Sequence, residues 1–126
     1  MYQILEYLNM IEQNNPFLPH TLVQDEDVEW QILGDGLRRK VMGYNDKLML
    51  VKVDFQKGSI GTLHHHPHLQ ISYVASGSFE TTIGENVKIL NAGDVYCVPE
   101  NVIHGVVCLE KGQLIDVFSP LREDFL

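Results

Sequence analysis

Apolar residues recur at helical spacing only near the start of this chain. Four of them, Ile4, Leu5, Leu8 and Ile11, lie about one turn apart, and turn and breaker residues follow from Asn14 to Pro19. This pattern predicts a short amphipathic helix on an N-terminal extension, residues 1–27. So short a helix is marginal in water on its own. Its apolar stripe should therefore cover either the rest of the domain or a second subunit, and a homodimer is the favoured interpretation.

From Trp30 onward the pattern changes to short runs rich in Val, Ile, Tyr and Phe, separated by Gly, Asn and Asp. The turn signals include Ser76-Gly77 and Glu85-Asn86. The predicted strands are 28–33, 37–44, 47–55, 60–66, 69–75, 78–83, 86–90, 94–98, 103–109 and 113–118. Many short strands at even spacing indicate a closed barrel or a sandwich, and a jelly-roll barrel would also remove exposed strand edges. We therefore predict an all-β fold with one domain over residues 28–126.

Composition narrows the possible partners. The chain has 126 residues and a net charge of −8, from 17 acidic against 9 basic residues. Without a basic run to neutralise a polyanion, nucleic acid is not an expected partner. The N-terminal segment lacks the basic start and apolar core of a secretion signal, and no apolar run approaches a membrane span. The two cysteines, Cys97 and Cys108, are then expected to be free thiols, and the protein to be cytoplasmic.

Candidate chemistry lies in two clusters: His64, His66 and Gln70 in the first, and His104 in the second. Alternate residues of a strand share a face, so His64 and His66 can both point into one interior. Three imidazoles and one amide oxygen suit a divalent transition metal (Ni, Zn, Fe or Mn) and leave its charge available to an anionic ligand. The alternative is that the HHHPH run consists of surface residues with loose metal affinity.

Neighbouring residues are assigned by the same alternation. His68 shares the parity of His64 and could face inward with it, although Pro67 disturbs the strand; the alternative is a pocket-wall residue or a supporting donor to the ligands. His65 and His20 are predicted at the surface. Cys108 falls near His104, yet burial as a small apolar residue is the favoured role. Phe79 and Tyr73 are expected to pack in the core or line the interior.

Both clusters resemble the two motifs of the cupin superfamily. Gly58, His64, His66, Gln70 and Gly77 have the spacing of the first motif, with Gln where Glu is usual. The second runs Gly93, Pro99, Asn101, His104, with Asn101 in a usual Gly position and Cys108 in a usual Asn position. The resemblance implies a small jelly-roll barrel with the metal inside.

Within that superfamily the chain resembles the KdgF pectin-degradation family over about residues 28–126. The segments that carry this resemblance are LGDGLRRKVMGYNDKLMLVKVDF, HHHPHLQISYVASGSFETTIG, GDVYCVPENVIHGV and LIDVFSPLREDFL. Members of that family open the ring of 4,5-unsaturated monouronates, the products of pectate and alginate lyases, to linear 4-deoxy-5-keto-uronates. The resemblance implies that the metal ligands are His64, His66, Gln70 and His104. It places Asp116, Phe118 and Arg122 at substrate and catalytic positions.

That chemistry requires a base for the anomeric hydroxyl and a proton for C4. Asp116 is a plausible proton carrier if it faces the cavity, because burial raises a carboxyl pKa toward working pH. Arg122 would pair with the uronate carboxylate as a two-pronged donor. The plainer interpretation is that Asp116 belongs to an exposed strand face and Arg122 to a solvated tail beside Glu123 and Asp124.

The leading interpretation is therefore a metal-dependent enzyme of isomerase or lyase type that acts on a small anionic sugar. Two alternatives stay open: a cupin dioxygenase, and a non-catalytic cupin that only binds a sugar or metabolite. The Gln ligand and the DVFSPLRED tail argue against the dioxygenase. The absence of an output module beside the barrel argues against the sensor.

Overall fold

The computed structural model describes residues 2–14 and 21–126. One helix, α1 (Tyr2–Asn14), precedes a 3-10 turn at Asp25–Asp27, and a second 3-10 turn, Glu123–Phe125, follows the last strand. The described residues form eight strands: β1 (Gln31–Gly34), β2 (Leu37–Tyr44), β3 (Met49–Phe55), β4 (Ile60–His64), β5 (Leu69–Ile83), β6 (Asn86–Asn91), β7 (Val95–Val98) and β8 (His104–Ser119). The predicted helix and the all-β class are confirmed. The predicted break at Asn15, Pro16 and Pro19 and the position of His20 fall outside the described residues.

All strand pairs are antiparallel, in the order β1-β2-β3-β8-β5-β6, with β4 added to β8 and β7 added to β5. The two long strands β5 and β8 pair with each other along most of their length. The first part of β8 also pairs with β4 and its last part with β3, while β5 pairs first with β7 and then with β6. The two long strands therefore run through both layers of the jelly roll and carry the candidate site between them.

The prediction of a turn at Ser76-Gly77 is wrong, because residues 69–83 form one strand with irregular register between Val74 and Phe79. Gly77 has φ +84°, and a side chain there would bring its Cβ within 2.6 Å of the Glu110 carbonyl oxygen on β8. The glycine therefore marks a bulge and a close strand crossing, which bends β5 without reversing it. The predicted strands 103–109 and 113–118 are likewise parts of one continuous strand, β8.

The first predicted strand begins later than expected, at Gln31, and the predicted strand 60–66 ends at His64. His66 therefore lies in the loop between β4 and β5. Alternation along a strand was thus the wrong reason to group His64 with His66, although the chain does bring the two rings together, with centroids 5.5 Å apart.

The core is built from the inward-facing residues of β3, β5, β7 and β8 and includes Met49, Val51, Val74, Leu114 and Phe118. Phe79 and Cys108 are buried in it, as predicted, whereas Tyr73 is 44% exposed and faces outward. On β8 the buried positions alternate as Leu114, Asp116 and Phe118. Asp116 therefore occupies a core position, where an apolar residue like its neighbours on that face would ordinarily stand.

The segment before β1 packs on the outside of the barrel. The Asp25 carboxylate pairs with Lys40 at 3.2 Å and Lys52 at 3.0 Å, and Trp30 lies beneath the Arg38 guanidinium at 3.9 Å. Ordered contacts with the barrel therefore begin before residue 28. The boundary between residues 27 and 28 stays a prediction.

On α1 the part of the apolar stripe whose side chains are described is exposed in this single chain: Ile4, Leu5 and Leu8 are 61%, 61% and 49% exposed. The homodimer that this stripe suggested stays a prediction. Among the described residues, no helix combines the length and apolar character needed to cross a bilayer.

Candidate metal centre and active site

Three histidines converge at one end of the barrel. His64 ends β4, His66 follows in the loop and His104 begins β8, and one ligand nitrogen from each lies within 4.8 Å of the others. His66 and His104 are buried, whereas His64 is exposed. Three imidazole nitrogens at this spacing can hold one divalent ion.

Each ring is held by its Nδ1 atom. This atom lies within hydrogen-bond distance of a backbone carbonyl two residues away, at 2.7 Å for His64, 3.1 Å for His66 and 2.9 Å for His104. A carbonyl can only accept, so Nδ1 carries the proton in each ring and Nε2 keeps its lone pair. Such fixed tautomers are the usual support of metal-ligating histidines.

The Nε2 atom of His104 is buried and has no hydrogen-bond partner among the described residues. Burial lowers the pKa of His66 and lowers the pKa of His104 to about 4, so both rings are neutral at neutral pH. A buried, neutral and unpaired imidazole nitrogen is what a metal ion would satisfy. The donor set therefore fits the divalent ion that the sequence predicted.

Gln70, on β5, adds an oxygen to the cluster. Its side chain is 5% exposed, and its Oε1 lies 2.9 Å from His66 Nε2. The amide is oriented from the other side, because Gln70 Nε2 donates to Ser72 Oγ at 2.9 Å. The site thus gathers three imidazole nitrogens and one amide oxygen, none of which brings a negative charge, and it would leave the charge of a bound cation uncompensated.

Asn101 connects the two motifs through the backbone. Its φ of +60° explains why glycine is usual at this position, since few other residues adopt left-handed geometry easily. Its N–H donates to the His66 carbonyl at 2.8 Å and so anchors the loop that carries this ligand. His68, whose role the sequence left open, supplies the carbonyl that accepts from His66 Nδ1, and its ring centroid lies 5.3 Å from that of His66.

Asp116 faces the interior from β8 and is 9% exposed. It accepts a hydrogen bond of 2.6 Å from Ser72 Oγ on the neighbouring strand. Burial raises the pKa of Asp116 to about 6, although the Ser72 hydrogen bond and the positive charge of Arg122 act in the opposite direction. A carboxyl with this pKa can both take up and release a proton near neutral pH.

A continuous hydrogen-bond chain therefore runs from Gln70 through Ser72 to Asp116, and the Gln70 Oε1 atom at its start faces His66 Nε2. Ser72 is fully buried and stands directly opposite Asp116 in the β5–β8 register. Ser72 was not predicted from the sequence. Its position two residues after Gln70, on the same face of the strand, was the available signal.

Arg122 lies over the rings of Phe118 and Phe125, at 5.3 Å and 4.4 Å from their centroids. Its Nε and Nη2 donate to the two carboxylate oxygens of Asp124, at 3.0 Å and 2.8 Å. One edge of the guanidinium is therefore already paired within the chain, and its expected role as a two-pronged donor to substrate stays a prediction. Phe118 also contacts the His66 ring edge to face at 5.8 Å, so it supports a ligand as well as the cavity wall.

A cavity of about 360 Å³ opens beside the cluster. Six of the seven predicted site residues line it: His64, Gln70, His104, Asp116, Phe118 and Arg122. The seventh, His66, is linked to it through Gln70. Twelve further residues line the cavity, and Arg39, Tyr96, Asp124 and Phe125 are among them. The wall is otherwise apolar, with a few polar groups at fixed positions, as in small-molecule sites generally.

Comparison with known proteins agrees with this architecture. The family model described as Cupin domain matches residues 51–118. The pectin degradation protein KdgF of Dickeya dadantii (strain 3937) is 53% identical over 104 residues, which are 81% of this chain and 94% of the relative.

Solved structures give the same result. An RmlC-like cupin from Shewanella frigidimarina NCIMB 400 superposes with a TM-score of 0.83 at 45% identity, over 85% of this chain and 96% of that one. KdgF from a Halomonas species superposes with a TM-score of 0.81 at 37% identity, over 84% and 98% of the two chains. Oxalate decarboxylase from Bacillus subtilis, at 20% identity and a TM-score of 0.71, shares the fold over 83% of this chain and 32% of its own. By its sequence, its barrel and its relatives, this chain belongs to the cupins and, among them, to the family of the pectin degradation protein KdgF.

Proposed function

We propose that this protein opens the ring of 4,5-unsaturated monouronates in a metal-dependent reaction and releases linear 4-deoxy-5-keto-uronates. The observation that carries the proposal is the buried carboxyl of Asp116 in a cavity that is also lined by His64, His104 and Gln70, with His66 in the same histidine cluster. Similarity to the KdgF proteins supports the substrate class.

The reaction is an isomerisation that consumes no oxidant. The proton leaves the anomeric hydroxyl, the bond between C1 and the ring oxygen breaks, and C1 becomes an aldehyde. The ring oxygen leaves C1 with the bonding electron pair and stays on C5 as an enolate, which becomes a ketone when the proton is delivered to C4. One group that accepts a proton and later returns it is therefore sufficient, provided that its pKa lies near the working pH.

Asp116 is suited to that role. Its pKa of about 6 leaves the carboxylate mostly ionised at neutral pH, yet basic enough to accept a proton. Ser72 donates to one carboxylate oxygen, Oδ1, and so holds the carboxyl in a fixed orientation. Tyr96 lies in the same cavity, and its pKa is raised by burial and by the charge of Asp116, so its phenol stays protonated.

A metal ion would be held by the Nε2 atoms of His64, His66 and His104 and by Oε1 of Gln70. When bound, a divalent ion supplies Lewis acidity and a positive charge at this end of the cavity. The four ligands contribute no negative charge, which favours the binding of an anionic sugar in a protein whose net charge is −8.

The test is to mix the metal-loaded protein with freshly lyase-generated 4,5-unsaturated galacturonate and to follow the absorbance of its conjugated double bond. A chelated sample and the Asp116→Asn variant are the controls. We expect accelerated loss of absorbance that both controls abolish. No acceleration over the spontaneous rate, with metal confirmed bound, would overturn the proposal. Oxygen uptake would then indicate a dioxygenase, and binding without turnover a sugar-binding cupin.

A further inference from the structure

Two adjacent arginines on β2 lie on opposite faces of the sheet. Arg38 points outward, where it pairs with Asp54 at 3.0 Å and covers the Trp30 ring. Arg39 points inward and lines the cavity that holds Asp116. The alternation of the strand thus places a second guanidinium, besides that of Arg122, in the candidate site.

The Arg39 guanidinium is held from two sides. Its Nε donates to Gln31 Oε1 at 2.8 Å, and its Cζ lies over the Phe125 ring, 3.7 Å from the ring centroid. Gln31 is itself oriented, because its Nε2 donates to the Phe125 carbonyl at 3.1 Å. A long, flexible side chain is therefore fixed in one position before any ligand arrives, and this reduces the entropy lost on binding.

Arg39 has no carboxylate partner within residues 21–126. Its strand neighbours Arg38 and Lys40, and Arg122 in the same cavity, each form an ion pair. Asp124 is near enough to affect the pKa of Arg39, but its two oxygens accept from Arg122. Burial lowers the pKa of Arg39, as expected of a cation removed from water without a full counter-charge.

We propose that Arg39 binds the carboxylate of the uronate substrate and makes the cavity select an acid sugar over a neutral one. The inference rests on the proposed function and refines it. Nε faces Gln31, so the Nη1 and Nη2 donors remain for a carboxylate, whose two oxygens match the guanidinium fork. Arg122, paired with Asp124, is then a support for the cavity wall through Phe118 and Phe125.

Arg39→Gln removes the charge, and Arg38→Gln makes the same change on the outer face of the same strand. With unsaturated galacturonate we expect Arg39→Gln to raise KM roughly 10- to 100-fold, the usual range for a hydrogen-bonded charge pair, with kcat changed less than about threefold. Arg38→Gln should stay within about twofold of wild type in both constants. Arg39→Lys keeps the charge without the fork, so its KM should lie between those of wild type and Arg39→Gln.

A binding measurement separates this inference from the proposed function. Calorimetry with saturated galacturonate and its methyl ester requires no turnover. Metal-loaded wild type should prefer the acid, and Arg39→Gln should lose that preference while it keeps metal content and thermal unfolding temperature. If Arg39→Gln is unstable, the comparison is made with Arg39→Lys.

Three outcomes decide the matter. Loss of the preference in the Arg39 variants supports the inference, even if wild type shows no turnover and the ring-opening proposal falls. Wild-type turnover with an unchanged KM in Arg39→Gln overturns the inference and leaves the proposed function standing. Equal binding of acid and ester by wild type also overturns it.

Discussion

The two ends of the cavity are built differently. At the inner end, Gln70, Ser72 and Asp116 are buried and extend from the paired strands β5 and β8, so the sheet register determines their spacing. At the outer end, Arg39 and Arg122 are half-buried and are held by side-chain contacts to the C-terminal turn. We infer that the inner end determines the rate of the chemistry and the outer end determines which sugar enters.

The largest effect is expected at the inner end. Asp116→Asn keeps the shape but removes the proton-accepting carboxylate, so kcat should fall roughly 10²- to 10⁴-fold, the contribution of a positioned acid or base. Metal content, measured by elemental analysis, should be unchanged because Asp116 is outside the histidine cluster. Asp54→Asn, on the outer face of β3, is the control. Full activity in Asp116→Asn would remove this residue from the mechanism.

The pH dependence of kcat/KM tests the role of Asp116 at the inner end of the cavity. The carboxylate is the active form of Asp116, so kcat/KM of wild type should rise as the pH increases through about 6. The Ser72 hydrogen bond lowers the pKa of Asp116, and its loss in Ser72→Ala should therefore raise that pKa and move the acid limb of the profile to higher pH.

At pH 6 we expect Ser72→Ala to be roughly three- to tenfold slower than wild type, and the difference should shrink at higher pH. Ser76→Ala makes the same substitution on the exposed face of β5 and should leave the profile unmoved. An equal loss of rate at every pH in Ser72→Ala would indicate a purely structural role.

The smallest effect is expected at the outer end. The side chain of Asp124 is 59% exposed, and exposed ion pairs contribute at most about 1 kcal/mol, so Asp124→Asn should lower the free energy of unfolding by no more than that. Its pKa is lowered by Arg122, so any contribution is present above its unfolded pKa and is lost as the pH falls through the folded one.

Glu123→Gln is the matched control for Asp124→Asn, and denaturant unfolding is the measurement. We expect kcat to stay within about threefold of wild type in both variants, because neither touches Asp116. A hundredfold fall in kcat for Asp124→Asn would show that the outer end takes part in the chemistry, and the contrast between the two ends would fail.

The sequence predicted some residues at each end of the cavity and missed one at each end. His64, His66, Gln70 and His104 were found because their spacing forms a gapped motif that can be seen along the chain. Ser72 and Arg39 were not found, because their significance depends on partners in other strands. Ser72 meets Asp116 across 44 positions of sequence, and Arg39 meets Phe125 only after the chain has closed the barrel.

The prediction of the fold from the sequence has a similar limit. Alternation predicted most strand positions, yet Ser76-Gly77 was interpreted as a turn because glycine favours both turns and bulges. Only the approach of β8 to Gly77 distinguishes the two, and it is a tertiary contact. Likewise, the apolar neighbours of Asp116 on β8 did not reveal whether its strand face was inside or outside.

The continuity of β5 and β8 determines which parts of the molecule can unfold separately. Each of these strands is hydrogen-bonded into both layers, so neither layer can separate without breaking the ladder of the other. His104 begins β8 and Asp116 lies near its end, so both belong to one cooperative unit. Fluctuations short of global unfolding should then be confined to the edge strands and the C-terminal turn. In hydrogen exchange, the amides around His104 and Asp116 should open together, at the free energy of the whole barrel.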